Sequence, residues 1–489
     1  MKHDDDKYIW VAPEGSDEQL GTYEQPLSDV ARALSRARPG QTVILKSGEY
    51  HGDVTIQQSG TMDRPVHITA EERGGAVIVG SCWYLYDVSD LAISKLTFRD
   101  SPGGALSVVG ACRRNSFREL LFENCSRLKR PSCTLFFGGS GAQCNMVENC
   151  TFHHDTAEQR ETYDVEHASV AMMVVEGDQD GRAANADFVV RCNEFVNYGY
   201  GVIVGAGDGG RGLYGHVVEF NALDDCGGDA LLIKCGDTTI RGNRVKRAGG
   251  SAIAVLAGTA STVIGNRIVD CKNGVRLCGE AHTVASNLFA RCRAQAVHVA
   301  SNSYRPDLSA GSAALIEHNT IVDCGDATQH DAVSGVLNDP GTSCVVERNL
   351  FFGPGRPYRC NGDSESCYTD GSLPSFFSDN ACGGTAPDAP GCRHIEVLFA
   401  GHDSDDFSND SEYGADGWVL KAGLWPPPEA DETDSALDYR AEVSASAAEA
   451  GLVSEEVEQL IDDLDREQLF KQGFLFPDMP DGDHPADNG

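Results

Sequence analysis

The 489-residue sequence has no run of eighteen apolar residues, so it holds no helix that could cross a bilayer. Positive charge is scarce. Lys and Arg total 39 against 74 Asp and Glu, a formal net charge of −35. Nucleic acid and anionic membrane surfaces both select for net positive charge, so neither is an expected partner. An apolar secretory region is also missing behind Met1-Lys2-His3-Asp4. Either a leader was removed or the protein is intracellular. No stretch of the middle shows a sustained helical period, and the leucine consensus of a leucine-rich repeat is absent.

What is present is a chain rich enough in apolar residues, at 41%, to be ordered. The charge is uneven. Residues Gly401 to Gly489 carry 24 acidic and 4 basic side chains, so most of the acidity belongs to the tail. Of the 18 cysteines, most fall inside a repeat, where a free thiol serves as a small apolar filler. Cys360, Cys367, Cys382 and Cys392 stand apart in a Gly/Ser/Asp-rich segment. They could pair as disulfides, bind metal or remain free thiols.

The repeat is the main structural signal. A short apolar stretch, then Asn, then any residue, then an apolar one recurs at Asn193, Asn221, Asn243, Asn266, Asn287, Asn319 and Asn349. The spacings are 28, 22, 23, 21, 32 and 30, a unit near 22 with loop insertions. NMVENCTF at Asn149 reads as an earlier copy, and Cys226, Cys271, Cys292 and Cys324 form a second column five residues after an Asn. A β-propeller needs a longer period. The pattern predicts an all-β chain, a right-handed parallel β-helix whose coils stack at roughly 4.8 Å. Asn suits a tight turn because it tolerates the left-handed region, and its amide can bond the Asn of the next coil.

The expected organisation is a strand and capping helix over 1–50, coils over 51–358, a Cys-containing irregular segment over 359–425 and an acidic tail over 426–489. The capping helix is DVARALSRARPG, N-capped by Ser28 and stopped at Gly40, with Val30, Ala31, Leu34 and Ala37 on its apolar face. It would cover the open edge of the first coil. A second helix, N-capped by Ser454, is expected in the tail, beside linker or disordered stretches.

The opening YIWVAPEGSDEQLGTYEQPL…ARPGQTVILKSGEY, then SGTMDRPVHITAEERGGAVIVGS and LAISKLTFRD, resembles polysaccharide lyase family 6, the alginate lyase and chondroitinase B group. The resemblance extends to about Asn319 and implies a carbon–oxygen lyase, secreted or periplasmic, acting on an acidic, uronate-containing polysaccharide. In GGDALLIKCGDTTIRGNRVKRAGGSAIAVLAG, Lys234 falls on the family's catalytic lysine. Asp229 falls on one of two calcium-binding glutamates, Gly227 replaces the other, and Asn221 corresponds to the calcium-binding Asn with a one-residue offset. The family's Arg-His pair falls on Leu256-Ala257, so its catalytic arginine has no counterpart there. GVRLCGEAHTV matches a Gly-Ile-Arg segment and makes Arg276 a substrate contact. The same GGDALLIKCG also resembles an Asp-Asp strand of family 28 polygalacturonases, but that family's Gly-His-Gly segment is not matched.

β-Elimination needs a cation or metal to neutralise the uronate carboxylate and a base for the adjacent proton. Lysine can be that base when nearby positive charge or burial lowers its pKa. Lys234 would be the base, Asp229 and Asn221 calcium ligands, and Arg276, Arg241 and Arg244 substrate contacts. A repeat of 22 would make Lys234, Leu256 and Arg276 rough neighbours. Tyr200, Tyr214, His216 or water would supply the acid, and a His/Tyr pair from Tyr198, Tyr200, Tyr214 and His216 could run the elimination without metal. His153, His154, Asp155 and His167 form another polar group with weak metal-site character. Two other functions stay open. One is a non-catalytic β-helix that binds glycan or serves as a structural fibre. The other is a glycoside hydrolase using Asp224, Asp225 and Asp229. Each candidate also has a plain reading as a solvated, ion-paired or ladder residue.

Overall fold

The computed structural model describes residues 7–127, 132–155, 169–175, 185–205, 213–301, 310–325, 333–339, 341–353, 355–360, 376–378, 380–383 and 392–394. The chain divides into two units, 1–394 and 395–489. All the described residues belong to the first, so the expected helix at Ser454 and the acidic tail lie outside them.

Short strands dominate because each coil can bury only a few alternating side chains before the chain must turn. Three parallel sheets result, of 14, 14 and 12 strands among the described residues. Sheet 1 runs from Tyr8–Val11 through Thr42–Leu45 and Val66–Ala70 to Phe376–Ser378. Sheet 2 runs from Gly48–His51 to Cys392–His394, and sheet 3 from Val54–Ile56 to Arg356–Cys360. Every named strand pair in them is parallel, as in His216–Glu219 with Thr238–Arg241 and Leu231–Ile233 with Ser251–Val255. This is the expected parallel β-helix. Its stacking continues past residue 358 to His394.

Inward residues pile in files. Phe98, Phe122, Phe152 and Phe195 stack at 5.5, 4.5 and 4.7 Å between ring centroids. All four are fully buried, and such offset aromatic contacts add to their area burial. Cys226, Cys271, Cys292 and Cys324 are buried free thiols at the corner between sheets 2 and 3, as the Cys column predicts.

At the corner between sheets 1 and 2, eight asparagines from Asn193 to Asn380 form a continuous ladder. Asn243 shows the unit. Its backbone N and its Nδ2 both donate to Asn266 Oδ1 at 2.9 Å, and Nδ2 also donates to Val218 O in the coil behind. The left-handed conformation expected of these residues falls instead on the residue before the Asn, as at Cys192 (φ 54°), Phe220 (53°), Ser286 (54°) and Arg348 (55°). The ladder Asn is selected by its amide and not by its φ. Asn149 is therefore not a copy of the unit. It takes the left-handed position (φ 53°), while Cys150 stands in the ladder column and donates its N–H to Asn193 Oδ1.

The cap helix is shorter than expected, Val30–Arg36, and its N-cap is Asp29. Asp29 Oδ1 accepts from Ala31 N (2.7 Å) and Arg32 N (3.3 Å), whereas the Ser28 hydroxyl donates to Asp17. The helix stops before Ala37, which is already extended and donates its N–H to Leu34 O, and Pro39 disfavours helix at Arg38 just beyond. Gly40 (φ 88°) turns the chain only afterwards. Val30, Ala33 and Leu34 are the buried residues, with Ala31 and Ala37 partly buried. Of the four separate cysteines, Cys382 and Cys392 are disulfide-bonded, and Cys367 lies outside the described residues.

Asn266→Ala removes the acceptor of Asn243 N and Nδ2 and the donor to Ile240 O. Each orphaned buried group costs about 1–3 kcal/mol. Urea unfolding should show a loss of roughly 3 kcal/mol or more. Asn149→Gly, at a left-handed position, should change stability by no more than about 0.5 kcal/mol. Equal effects of the two variants would contradict the ladder.

Candidate functional site

The outer face of sheet 3 gathers the polar residues that the register aligns. One outward row is Tyr200, Asp229, Ser251 and Asn273, read from paired strands. A second is Leu232, Ala254, Arg276 and His298. A third places Lys234 beside Leu256, followed by Cys278, Ala300 and Asp339.

Asp229 Oδ1 accepts the Ser251 N–H at 2.6 Å. Burial pushes its carboxyl up, while the Ser251 N–H, Arg276 and Lys272 pull it down. Tyr200 is 5% exposed and lies in register with Asp229, its ring filling the space over Gly228. Arg276 is half-buried, and its Nε meets no acceptor among the described residues. A buried guanidinium N–H without a partner is costly unless a ligand completes it. Next to it, His298 Nε2 lies 3.1 Å from Asp339 Oδ2, within ion-pair reach but off the line of a hydrogen bond. Asp339 Oδ2 accepts from Ser301 N at 3.0 Å.

Lys234 shares this face, yet it is two coils and two residues from Arg276. That is about 12 Å between Cα atoms at ordinary sheet spacings. Leu256 is its direct neighbour on the next coil. Asp229 and Lys234 are five residues apart, at opposite ends of the strand Leu231–Ile233.

Several expected partners are elsewhere. Arg241 lies on sheet 1, paired with Glu219 at 2.6 Å, and Arg244 is exposed on sheet 2. Three turns per coil carry this basic run off the Lys234 face. Tyr214 is 45% exposed on a separate two-stranded pairing with Asn185–Ala186. His216 points inward. It is 1% exposed, its Nδ1 accepts the Phe188 N–H at 3.4 Å, and burial lowers its pKa to about 4. Tyr198 is fully buried, its hydroxyl 3.1 Å from Thr134 Oγ1. The His/Tyr pairs are thus not brought together on sheet 3. His154 is buried with its pKa lowered to about 4 by burial, whereas His153 points out, 3.6 Å from Asp155. His167 lies outside the described residues.

Asn221 and Asp229 do not form one cation site. The Asn221 oxygen accepts from Asn193 N and Nδ2, and its amide donates to Asn243 and Val190. Asn221 sits inside the coil at the sheet 1–2 corner, while Asp229 stands at the entry to sheet 3. The residues expected to hold calcium therefore do not fit it. Asp224 and Asp225 both pair with Arg247, at the sheet 2–3 corner. The hydrolase reading's Asp224 and Asp225 are thus both ion-paired, at a corner, while its Asp229 stands at the entry to sheet 3.

Residues 182–372 match the family model for a right handed beta helix region. A mannuronic acid specific polysaccharide family 6 lyase from human gut microbiota superposes with a TM-score of 0.59 at 16% identity, over 80% of this chain and 91% of that one. The fold resembles that of polysaccharide lyase family 6. The likeness is one of fold. An uncharacterized protein, YwoF, of Bacillus subtilis (strain 168) is 35% identical over 103 residues, which is 19% of this chain and 22% of that protein. Pectate lyase PEL9 of Emericella nidulans is 35% identical over 74 residues, 15% of this chain and 18% of PEL9. The matched stretches span about a fifth of these curated relatives.

His298 was missed in sequence because it carries no motif, yet it follows Arg276 by one 22-residue period. The interior histidines give a direct check of placement. His216 stays neutral down to about pH 4, whereas an unfolded histidine protonates near 6.5. The unfolded chain binds more protons between those values, so stability is full above about 6.5 and is lost as pH falls toward 4. His216→Gln should reduce the slope of unfolding free energy against pH in that window by about one proton. A slope as steep as that of the parent would place His216 in solvent.

Proposed function

We propose that the protein is a polysaccharide lyase that binds an acidic, uronate-containing polysaccharide along the outer face of sheet 3 and cleaves it by β-elimination. The observation that carries this reading is Arg276, a half-buried guanidinium on the outer side of sheet 3 whose Nε lacks an acceptor among the described residues. A uronate carboxylate is the planar acceptor that such a fork matches. Once neutralised there, the carboxylate no longer opposes the carbanion that forms when the neighbouring proton leaves.

The polymer follows the helix axis. Lys234, two coils from Arg276, then meets a different sugar of the same chain and holds its carboxylate as a point charge. Asp229 and Tyr200 line the edge of the face, where burial raises the Asp229 carboxyl and the Arg276 charge works against that rise. Alginate is the first substrate to try, since the solved lyase named above acts on mannuronic acid. No step passes through calcium.

A second reading rests on Leu256, an apolar side chain standing beside Lys234 where the family pairs lysine with arginine. It would make the face a glycan-binding surface without turnover.

Incubation with alginate, pectate and glycosaminoglycans separates these. A lyase produces an unsaturated uronate that absorbs in the ultraviolet. Arg276→Ala should lower that rate at least about 100-fold. Arg244→Ala, on sheet 2, should leave it unchanged. New reducing ends without the absorbance would mean hydrolysis. Binding without either product would support the glycan-binding reading.

A further inference from the structure

We propose that His298, oriented by Asp339, is the proton-transfer group of this site, so that the reaction centre sits at Arg276 and His298 and not at Lys234. The proposal rests on the lyase reading above. In β-elimination the proton removed is on C5, the carbon that bears the carboxyl group. The base must therefore stand beside whatever holds the carboxylate. Arg276 is in register with His298 on adjacent strands, about 4.8 Å apart across the sheet. Lys234 is separated from Arg276 by about 12 Å.

The surroundings of His298 suit proton transfer. Its side chain is 19% exposed and that of Asp339 is 16%, shielded yet open to a ligand. Asp339 is itself fixed, its Oδ2 accepting from Ser301 N (3.0 Å) and Ser301 Oγ (3.4 Å). The Asp339 carboxylate, 3.1 Å from Nε2 though not hydrogen-bonded to it, electrostatically favours a proton on that nitrogen, which leaves Nδ1 as the acceptor. Histidine is also the side chain whose ordinary pKa lets it take up and return a proton near neutrality.

The step balances within the site. His298 takes the C5 proton while Arg276 holds the carboxylate. The electrons of the C5–H bond become the C4=C5 double bond. The C4–O bond breaks, and its electrons leave with the glycosidic oxygen. That oxygen takes the proton back from the imidazolium. One unsaturated uronate end and one new reducing end result, with no water or oxidant consumed.

The test measures kcat and KM of the full-length protein on whichever polyuronate it cleaves. His298→Gln should lower kcat at least about 100-fold with KM little changed. His298→Ala should regain part of its turnover on addition of imidazole. Asp339→Asn should lower kcat with an unchanged KM, the pattern of a positioning residue. Lys234→Gln should raise KM and keep most of kcat. If His298→Gln keeps the parent kcat while Lys234→Gln abolishes it, the lysine is the base and the proposal falls while the lyase reading stands. If the parent protein cleaves no polyuronate, both fall together.

Discussion

Every alignment in this molecule depends on the buried asparagine ladder and the parallel strands it registers. Each ladder amide bonds forward to the next Asn and backward to a carbonyl of the coil behind, as Asn266 does to Asn287 and to Ile240. A slip of one residue would leave buried donors and acceptors unpaired, at about 1–3 kcal/mol each. It would also turn every strand's inward side chains outward. The ladder therefore fixes which residues share a row on the outer faces. Arg276 and His298 are neighbours because Asn266 and Asn287, on their own coils, are neighbours.

The three-sided coil also sorts charge. The sequence is strongly acidic, yet the basic run from Arg241 to Arg247 does not gather at one place. Arg241 pairs with Glu219 on sheet 1 and Arg247 with Asp224 and Asp225 at a corner. Arg291 pairs with Asp270 at the same corner, at 2.7 Å. The Arg247 and Arg291 pairs are partly exposed and contribute little to stability, whereas Glu219 in the Arg241 pair is buried. On sheet 3, Arg276 Nε is buried and meets no acceptor among the described residues.

Much of the fold was legible in the sequence, because a 22-residue period with interior Asn and Cys has few physical solutions. What escaped was detail that the period cannot carry. Asn149 looks like a ladder residue, but a neighbouring cysteine occupies its column, a one-residue offset that only strand pairing reveals. The helix cap moved from Ser28 to Asp29 because Asp17, 11 residues earlier, engages the serine. The site was legible only in part. Lys234, Asp229, Tyr200 and Arg276 do reach one face, whereas His216 and Asn221 turn inward and Arg241, Arg244 and Tyr214 lie elsewhere. Sequence distance along a coil does not say which of three faces a residue takes. His298 and Asp339 stayed hidden for another reason. An insertion makes the coil between them 39 residues long, and neither belongs to a motif.

A crystal structure with a bound oligouronate tests the central claim most directly. The account expects the sugar chain to run along the axis over sheet 3, with one carboxylate on the Arg276 guanidinium and its C5 facing the His298 ring. An oligouronate seated on sheet 1 or sheet 2, or one that leaves Arg276 without a carboxylate, would contradict it.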